Sequence, residues 1–276
     1  MLSPGWRSKA RMHMKVRVHL LGRLCVEVGD LVMSASAFPG RQGRLAFAYL
    51  AANQHPVSRD ALAEVLWGGE LPPAWERHLA AVLSKLRAVL NQAGLDGDRA
   101  LTNAFGSYQL HFPPDTEVDF DAALMYLEHA EAALRAQRLG DALAAADVAA
   151  NLARRPFLPG DDGSWIEGKR SELRAVLVRA LEMETELLRN RDDHRYALRL
   201  AEEAVALEPF RESCWIELMR VHLAAGNRAE GLRAYGRCRA LLAEELGVSP
   251  SSGAEAAYLE LLHADATSPS RSGPSR

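Results

Sequence analysis

The stretch Pro72-Pro73-Ala74-Trp75-Glu76-Arg77-His78-Leu79-Ala80-Ala81-Val82-Leu83-Ser84-Lys85-Leu86-Arg87-Ala88-Val89-Leu90-Asn91-Gln92-Ala93-Gly94 reads as one helix with two unlike faces. At about 100° per residue, Leu79, Val82, Leu83, Leu86 and Leu90 fall on a single stripe, the spacing of a helix that buries one side. The opposite stripe carries Arg77, Ala81, Ser84, Lys85 and Ala88, with His78 and Arg87 at its margins. No acidic residue occurs between Arg77 and Asn91, so the charge on that face is positive and suits a phosphate backbone. Small residues at its centre let a helix sit deep in a groove while longer basic side chains reach sideways. Periodicity alone describes equally well any amphipathic helix with a solvated basic side, and it is the neighbouring sequence that gives this one a role.

Upstream, residues 56–68 read as a shorter helix, with Ser58 as N-cap, Asp60 at the positive end of the dipole and Gly68-Gly69 as the stop. Two helices joined by a brief Gly/Pro turn, the second longer and basic, form a helix-turn-helix pattern. Downstream, Leu101-Thr102 and Tyr108-Gln109-Leu110-His111-Phe112 flank Asn103-Ala104-Phe105-Gly106-Ser107, a hairpin signal that supplies a wing. A third helix is expected over 43–52, packing Leu45, Tyr49, Leu50 and Ala52 behind the first two, with Arg41 and Arg44 at its start either touching a phosphate or solvating the helix end. Before it, Val16 to Gly22, Leu24 to Val28 and Leu31 to Met33 alternate apolar and polar residues around the turn pair Gly29-Asp30, the mark of a small antiparallel sheet.

The 276 residues suit about two domains. Residues 1–118 hold 13 Lys/Arg against 10 Asp/Glu, and 119–276 hold 20 against 26, so the mildly basic half is the one with the helix-turn-helix pattern. Cys25, Cys214 and Cys238 are far apart in apolar or helical stretches, which suggests neither a disulfide framework nor a zinc spacing but reduced, buried thiols. The nine histidines form no ligand-like pair, and neither a phosphate-binding glycine loop nor a nucleophile motif is present. No acid, base and nucleophile can be assembled from one element, so no enzyme, cofactor or metal is expected. No window is apolar enough to span a membrane, and the basic N-terminus lacks the apolar core of a signal peptide, which implies a cytoplasmic protein. Residues 1–14, with Met12 and Met14 as alternative starts, and the Ser/Pro-rich 264–276 read as disordered tails.

From Val118 strands give way to alanine-rich amphipathic helices that run to about His263. Leu181 and Trp215, Ala197 and Gly231, and Ala204 and Cys238 are each 34 residues apart, the tetratricopeptide period. Trp215, Leu218, Gly226, Tyr235 and Leu241 fill the large, turn and small positions of the clearest helix pair; Ala197, Ala204 and Pro209 belong to the one before. A weaker unit, Tyr126, Ala133, Ala142, Ala146 and Ala149, is displaced by an insertion containing Pro156, Pro159 and Gly160-Asp161-Asp162-Gly163. Such pairs cannot bury their faces alone and stack into a short solenoid. The fold class is therefore mainly α with small β: a winged helix-turn-helix domain over 15–117, then an all-α tetratricopeptide-like helical repeat domain over 118–263.

The runs Leu20-Leu21-Gly22, Ser58-Arg59-Asp60-Ala61-Leu62, Leu66-Trp67-Gly68, Leu83-Ser84-Lys85-Leu86-Arg87, Gly106-Ser107-Tyr108, Ala234-Tyr235 and Glu244-Glu245-Leu246-Gly247-Val248-Ser249-Pro250 resemble the Streptomyces antibiotic regulatory protein family of transcriptional activators over roughly residues 16–263. The resemblance implies a winged helix-turn-helix joined to a tetratricopeptide-like bacterial transcriptional activation domain. It implies binding of double-stranded DNA at promoter direct repeats by a homodimer or cooperative assembly, and recruitment of RNA polymerase. The DNA-contacting candidates are Arg77, His78, Ala81, Ser84, Lys85 and Arg87, then Ser58 and Arg59 before them, Arg44 on the preceding helix, and Thr102 and Asn103 on the wing. One departure stands out: where the family has Arg or Asn, Thr and a Gln/Arg–Val–His/Tyr run, this chain has Glu76, Arg77, His78, Ala80, Ala81 and Val82, which leaves fewer side chains to hydrogen-bond base edges. The alternative is accordingly an adaptor or sensor, with an unknown protein or small-molecule effector at the repeat domain. Regulation by ATP hydrolysis or phosphopeptide docking in cis is not expected of these residues.

Overall fold

The structure, a computed structural model, describes residues 15–264, so both expected tails, apart from Ala264, lie outside the described residues. The chain divides into two compact units, one running to Ala122 and including Arg155–Glu172, the other made of Ala123–Arg154 and the chain from Leu173 onward. The Pro/Gly segment read as an insertion in the repeat domain therefore counts with the first unit.

In that unit β1 (Val16–His19), β2 (Cys25–Val28) and β3 (Leu31–Ser34) form the expected meander, with Val16 opposite Val28 and Val28 opposite Leu31. Val16 and Val18 are buried and Arg17 between them is exposed, as the period of a half-buried strand requires. Helix α1 (Gly40–Ala52) is covered more fully than its stripe predicts: Ala46, Phe47 and Ala48 are buried along with Leu45 and Leu50, whereas Tyr49 and Ala52 are half-buried. It packs against α2 and α3, introduced next. Gly43 is fixed by a close approach, since a Cβ there would lie 2.4 Å from the ring carbons of Pro39.

After β4 (Val57–Ser58), α2 (Arg59–Trp67) begins under the Ser58 hydroxyl, which accepts from Ala61 N–H at 3.1 Å, and ends at Gly68 with φ +65°. Helix α3 (Trp75–Gln92) starts later than the quoted stretch, from Ala74 in the left-handed region. Beyond it come α4 (Gly97–Ala100), β5 (Leu101–Ala104), β6 (Ser107–Leu110) and β7 (Glu117–Val118). β5 and β6 form the wing, and β4 extends it to a three-stranded antiparallel sheet of order β4-β6-β5. β7 lies parallel to β1, with Val18 opposite Val118, at the edge of a sheet ordered β3-β2-β1-β7. Neither two-residue strand was expected from sequence.

Helix α5 (Asp119–Arg135) follows directly, and the Asp119 carboxylate accepts N–H groups from Leu20 and Leu21 at 2.8 and 3.1 Å. Residues 155–172 complete the first unit: Leu21 bridges Phe157, Gly22 N–H donates to the Pro156 carbonyl at 2.8 Å, and the Trp165 ring meets Tyr49 edge-on at 5.0 Å.

The second unit is helical: the rest of α5, α6 (Leu139–Ala153), α7 (Ser164–Arg189, from Leu173), α8 (His194–Leu207), α9 (Glu212–Ala224), α10 (Arg228–Leu246) and α11 (Ser252–His263). Ala130, Ala146 and Met183 pack together, as do Ala133, Ala142 and Leu187, so small side chains let α5, α6 and α7 approach closely. α9 packs against α8, α10 and α11. All six residues of the 34-residue correspondence are buried, and Gly231 is required where a Cβ would meet Leu261 Cδ2 at 2.6 Å. No helix among the described residues is long and apolar enough to cross a membrane. The molecule is mainly α with small β, as expected.

Candidate nucleic-acid interface

Helix α3 is anchored by Leu79, Leu83, Leu86, Val89 and Leu90, all buried, with Val82 half-buried. The anchoring turns Arg77, His78, Ala80, Ala81, Ser84, Lys85 and Ala88 to the exterior. Among the described residues the side chains of Arg77, His78 and Lys85 make no hydrogen bond or ion pair, so their donors face solvent. Arg77 and Lys85 are eight residues apart, about 12 Å along the axis, and a helix roughly 10–12 Å across fits a major groove about 12 Å wide. Glu76 in the first turn favours the positive end of the helix dipole and pairs with Arg59 Nη1 at 3.2 Å.

The remaining candidates are placed differently. Arg87 does not join the free face: it is half-buried, its Nε donates to the Leu101 carbonyl at 3.0 Å, and Asp98 lies 3.6 Å away, an acidic neighbour that the helix sequence alone did not reveal. Its backbone explains a glycine, because a Cβ at Gly97 would lie 2.3 Å from the Arg87 carbonyl oxygen. Arg44 is turned inward to buried Asp161, with Nε and Nη2 donating to its two oxygens at 3.1 and 2.9 Å, and this bidentate bond raises its pKa further. Its guanidinium is thus occupied within the protein. Ser58 spends its hydroxyl as acceptor on the α2 cap. Arg59 stays exposed beside Asp60 and Glu76, and its N–H donates to the Gly106 carbonyl at 3.2 Å, tying the start of α2 to the wing. Thr102 bonds the Gln109 carbonyl at 3.4 Å and His111 Nε2 at 3.1 Å, so its hydroxyl serves the hairpin; Asn103 is exposed.

The sequence reading missed Phe105. It sits at the tip of the wing with φ +51° and its side chain is wholly exposed, 107% by relative area, followed by Gly106 at φ +76°. Two successive residues with positive φ make a primed hairpin turn, whose first position normally takes Asn, Asp or Gly. A phenylalanine in that place was the available signal.

A recognition-type helix with a free basic face, a capped helix before it and a hairpin after it, carried in one chain with a helical-repeat unit, define a DNA-binding transcriptional regulator. The profile of the bacterial transcriptional activator domain matches residues 118–262. MoaR1 of Mycobacterium tuberculosis, a transcriptional regulatory protein, is 30% identical over 232 residues, covering 81% of this chain and 72% of MoaR1. EmbR of the same organism, also a transcriptional regulatory protein, is 30% identical over 241 residues, and this chain spans 59% of its length. The solved structure of Mycobacterium tuberculosis EmbR in complex with a low-affinity phosphopeptide superposes with a TM-score of 0.82 at 24% identity, over 91% of this chain and 65% of that one, and shows the same fold. The chain belongs to the Streptomyces antibiotic regulatory protein family of transcriptional regulators, a family of regulators rather than enzymes.

Proposed function

We propose that this protein is a cytoplasmic transcriptional activator whose α3 enters the major groove at promoter direct repeats, bound by two or more protomers, and whose domain over 118–263 contacts RNA polymerase. Residues 15–117 supply the DNA-binding domain in this reading. The observation that carries it is the contrast on and around α3: Arg77, His78 and Lys85 are exposed and unpartnered among the described residues, while Arg44 and Arg87 are consumed by the protein. Cations left unpaired on one convex face suit neutralisation of phosphates, each contact releasing bound counterions. The alanines between them offer only methyl contacts, so base readout falls to Arg77, His78 and Ser84. The experiment is binding to mixed-sequence double-stranded DNA across a salt series. Lys85→Ala should weaken binding to all sequences alike and flatten the slope of log affinity against log salt by about 0.9 per lost contact. Unchanged low-salt affinity in a folded Lys85→Ala protein would remove this face from the interface.

A further inference from the structure

One face of the β1–β2 ladder gathers three side chains of the kinds that ligate metals. His19 lies opposite Cys25 in the antiparallel register and Glu27 is two residues along β2, so all three project from the same side of the pleat. The ligand atoms they offer, a ring nitrogen, a sulfur and a carboxylate oxygen, lie within 4.8 Å of one another. No sequence spacing reveals this set, because strand pairing and not a short motif assembles it.

Two further observations point to a ligand. Asp119 Oδ2 lies 3.6 Å from His19 Nδ1, and Asp119 is itself held by the N–H groups of Leu20 and Leu21. At 3.6 Å the carboxylate stands beside one imidazole nitrogen as an ion-pair partner, on the side from which a carboxylate orients a metal-binding histidine, and the other nitrogen is left for the ion. That other nitrogen, Nε2, is buried without a hydrogen bond and stands 3.2 Å from Glu27 Oε1. Glu27 divides its oxygens, since Oε2 faces Arg17 Nη1 at 3.5 Å and Oε1 remains for the site.

We propose that His19, Cys25 and Glu27 bind one divalent cation of the zinc class, with Asp119 as the positioning carboxylate. Nitrogen, sulfur and oxygen donors in a set of three match tetrahedral zinc with a fourth position left to water. On ligation the Cys25 thiol proton leaves to solvent and the sulfur bonds the ion as thiolate, so binding tightens as pH rises. The inference is independent of the DNA-binding reading.

The test uses the full chain, reduced, with cobalt(II) as the probe and zinc(II) as competitor. One equivalent of cobalt should give a thiolate charge-transfer band in the near ultraviolet and tetrahedral bands in the visible, both abolished by zinc. Cys25→Ala should lose the thiolate band, and a Cys214→Ala, Cys238→Ala double variant should keep it. Glu27→Gln, at a half-buried position, should weaken cobalt binding by tenfold or more without altering the circular dichroism. Absence of the band in the parent chain overturns the proposal. So does a band of unchanged intensity in Cys25→Ala or, if that variant fails to fold, unchanged affinity in Glu27→Gln.

Discussion

Arg44 and Lys85 count equally in a sum of charges and differ in what surrounds them. Arg44 compensates an aspartate only 6% exposed, and its removal leaves that charge only Arg41 Nε, at 3.8 Å. Arg44→Ala should therefore cost about 1–3 kcal/mol in urea unfolding and leave the salt slope of DNA binding unchanged, while Lys85→Ala should leave stability within about 0.5 kcal/mol and flatten the slope. A flattened slope in Arg44→Ala would return that residue to the interface. The pairing was invisible in the sequence because Asp161 follows 117 residues later. Phe105 invites the opposite experiment. A bulky residue at φ +51° with its ring in solvent has strain and no compensating burial, so Phe105→Asn should raise the thermal midpoint, by about 1 kcal/mol of stability. A lower midpoint would show that the ring packs. In the second unit Glu184 is buried, and burial, then Asp147, pushes its carboxyl up to about 7, with Arg154 opposing. Unfolded, it titrates near 4.5, so between those values the native state holds a proton that the unfolded chain lacks. Its contribution is fully present below about 4.5 and is lost as pH rises through about 7, on the order of 1–3 kcal/mol. Glu184→Gln should flatten that decline in denaturant midpoints measured across the range.

The longer helices announced themselves and the two-residue strands did not. The α2 cap, the α3 stripe and the wing were legible because each is written in contiguous residues: Ser58 before an apolar run, leucines at helical spacing, Asn103 to Ser107 between Leu101-Thr102 and Tyr108 to Phe112. β4 and β7 have two residues each, too few for a period, and β7 finds its partner a hundred residues earlier, at Arg17 opposite Glu117. The repeat was legible because close helix contacts demand small residues at fixed places, Ala197 and Gly231 among them. Its large residues define a further test. Trp215 is buried and donates from Nε1 to the Pro209 carbonyl at 2.8 Å, within a cluster that also holds Leu218, Tyr235 and Leu261. Trp215→Ala should cost about 3–5 kcal/mol and unfold α8 to α11 without direct effect on α3. A variant as stable as the parent that fails to activate transcription would move Trp215 from the core to a partner surface.

At the scale of the whole molecule the question is how a modest reader of DNA becomes selective. In the proposed complex, alanines at 80, 81 and 88 on the exposed face of α3 would leave one protomer few hydrogen bonds to give to bases, and the selectivity expected of two adjacent protomers would come from multiplying their preferences. Affinity should be weak for one half-site, strong for two correctly spaced half-sites, and weak again when they are moved apart by about half a helical turn. Tight, selective binding to a lone half-site, or indifference to spacing, would refute the cooperative reading.

The first unit is discontinuous: it takes in residues 155–172, which lie inside the span matched by the activator-domain profile. Genetic exchange at position 118 therefore does not transplant a self-contained cassette. A hybrid built that way would bring a stranger's residue opposite Arg44 where Asp161 stood, a stranger's strand beside Leu21, and a stranger's ring against Tyr49. Only a crossover after 172 keeps all of the first unit from one parent, and lineages that recombine these genes should spare its internal contacts there rather than at the apparent domain border. The position equivalent to 161 should travel with the one equivalent to 44 through the family's history.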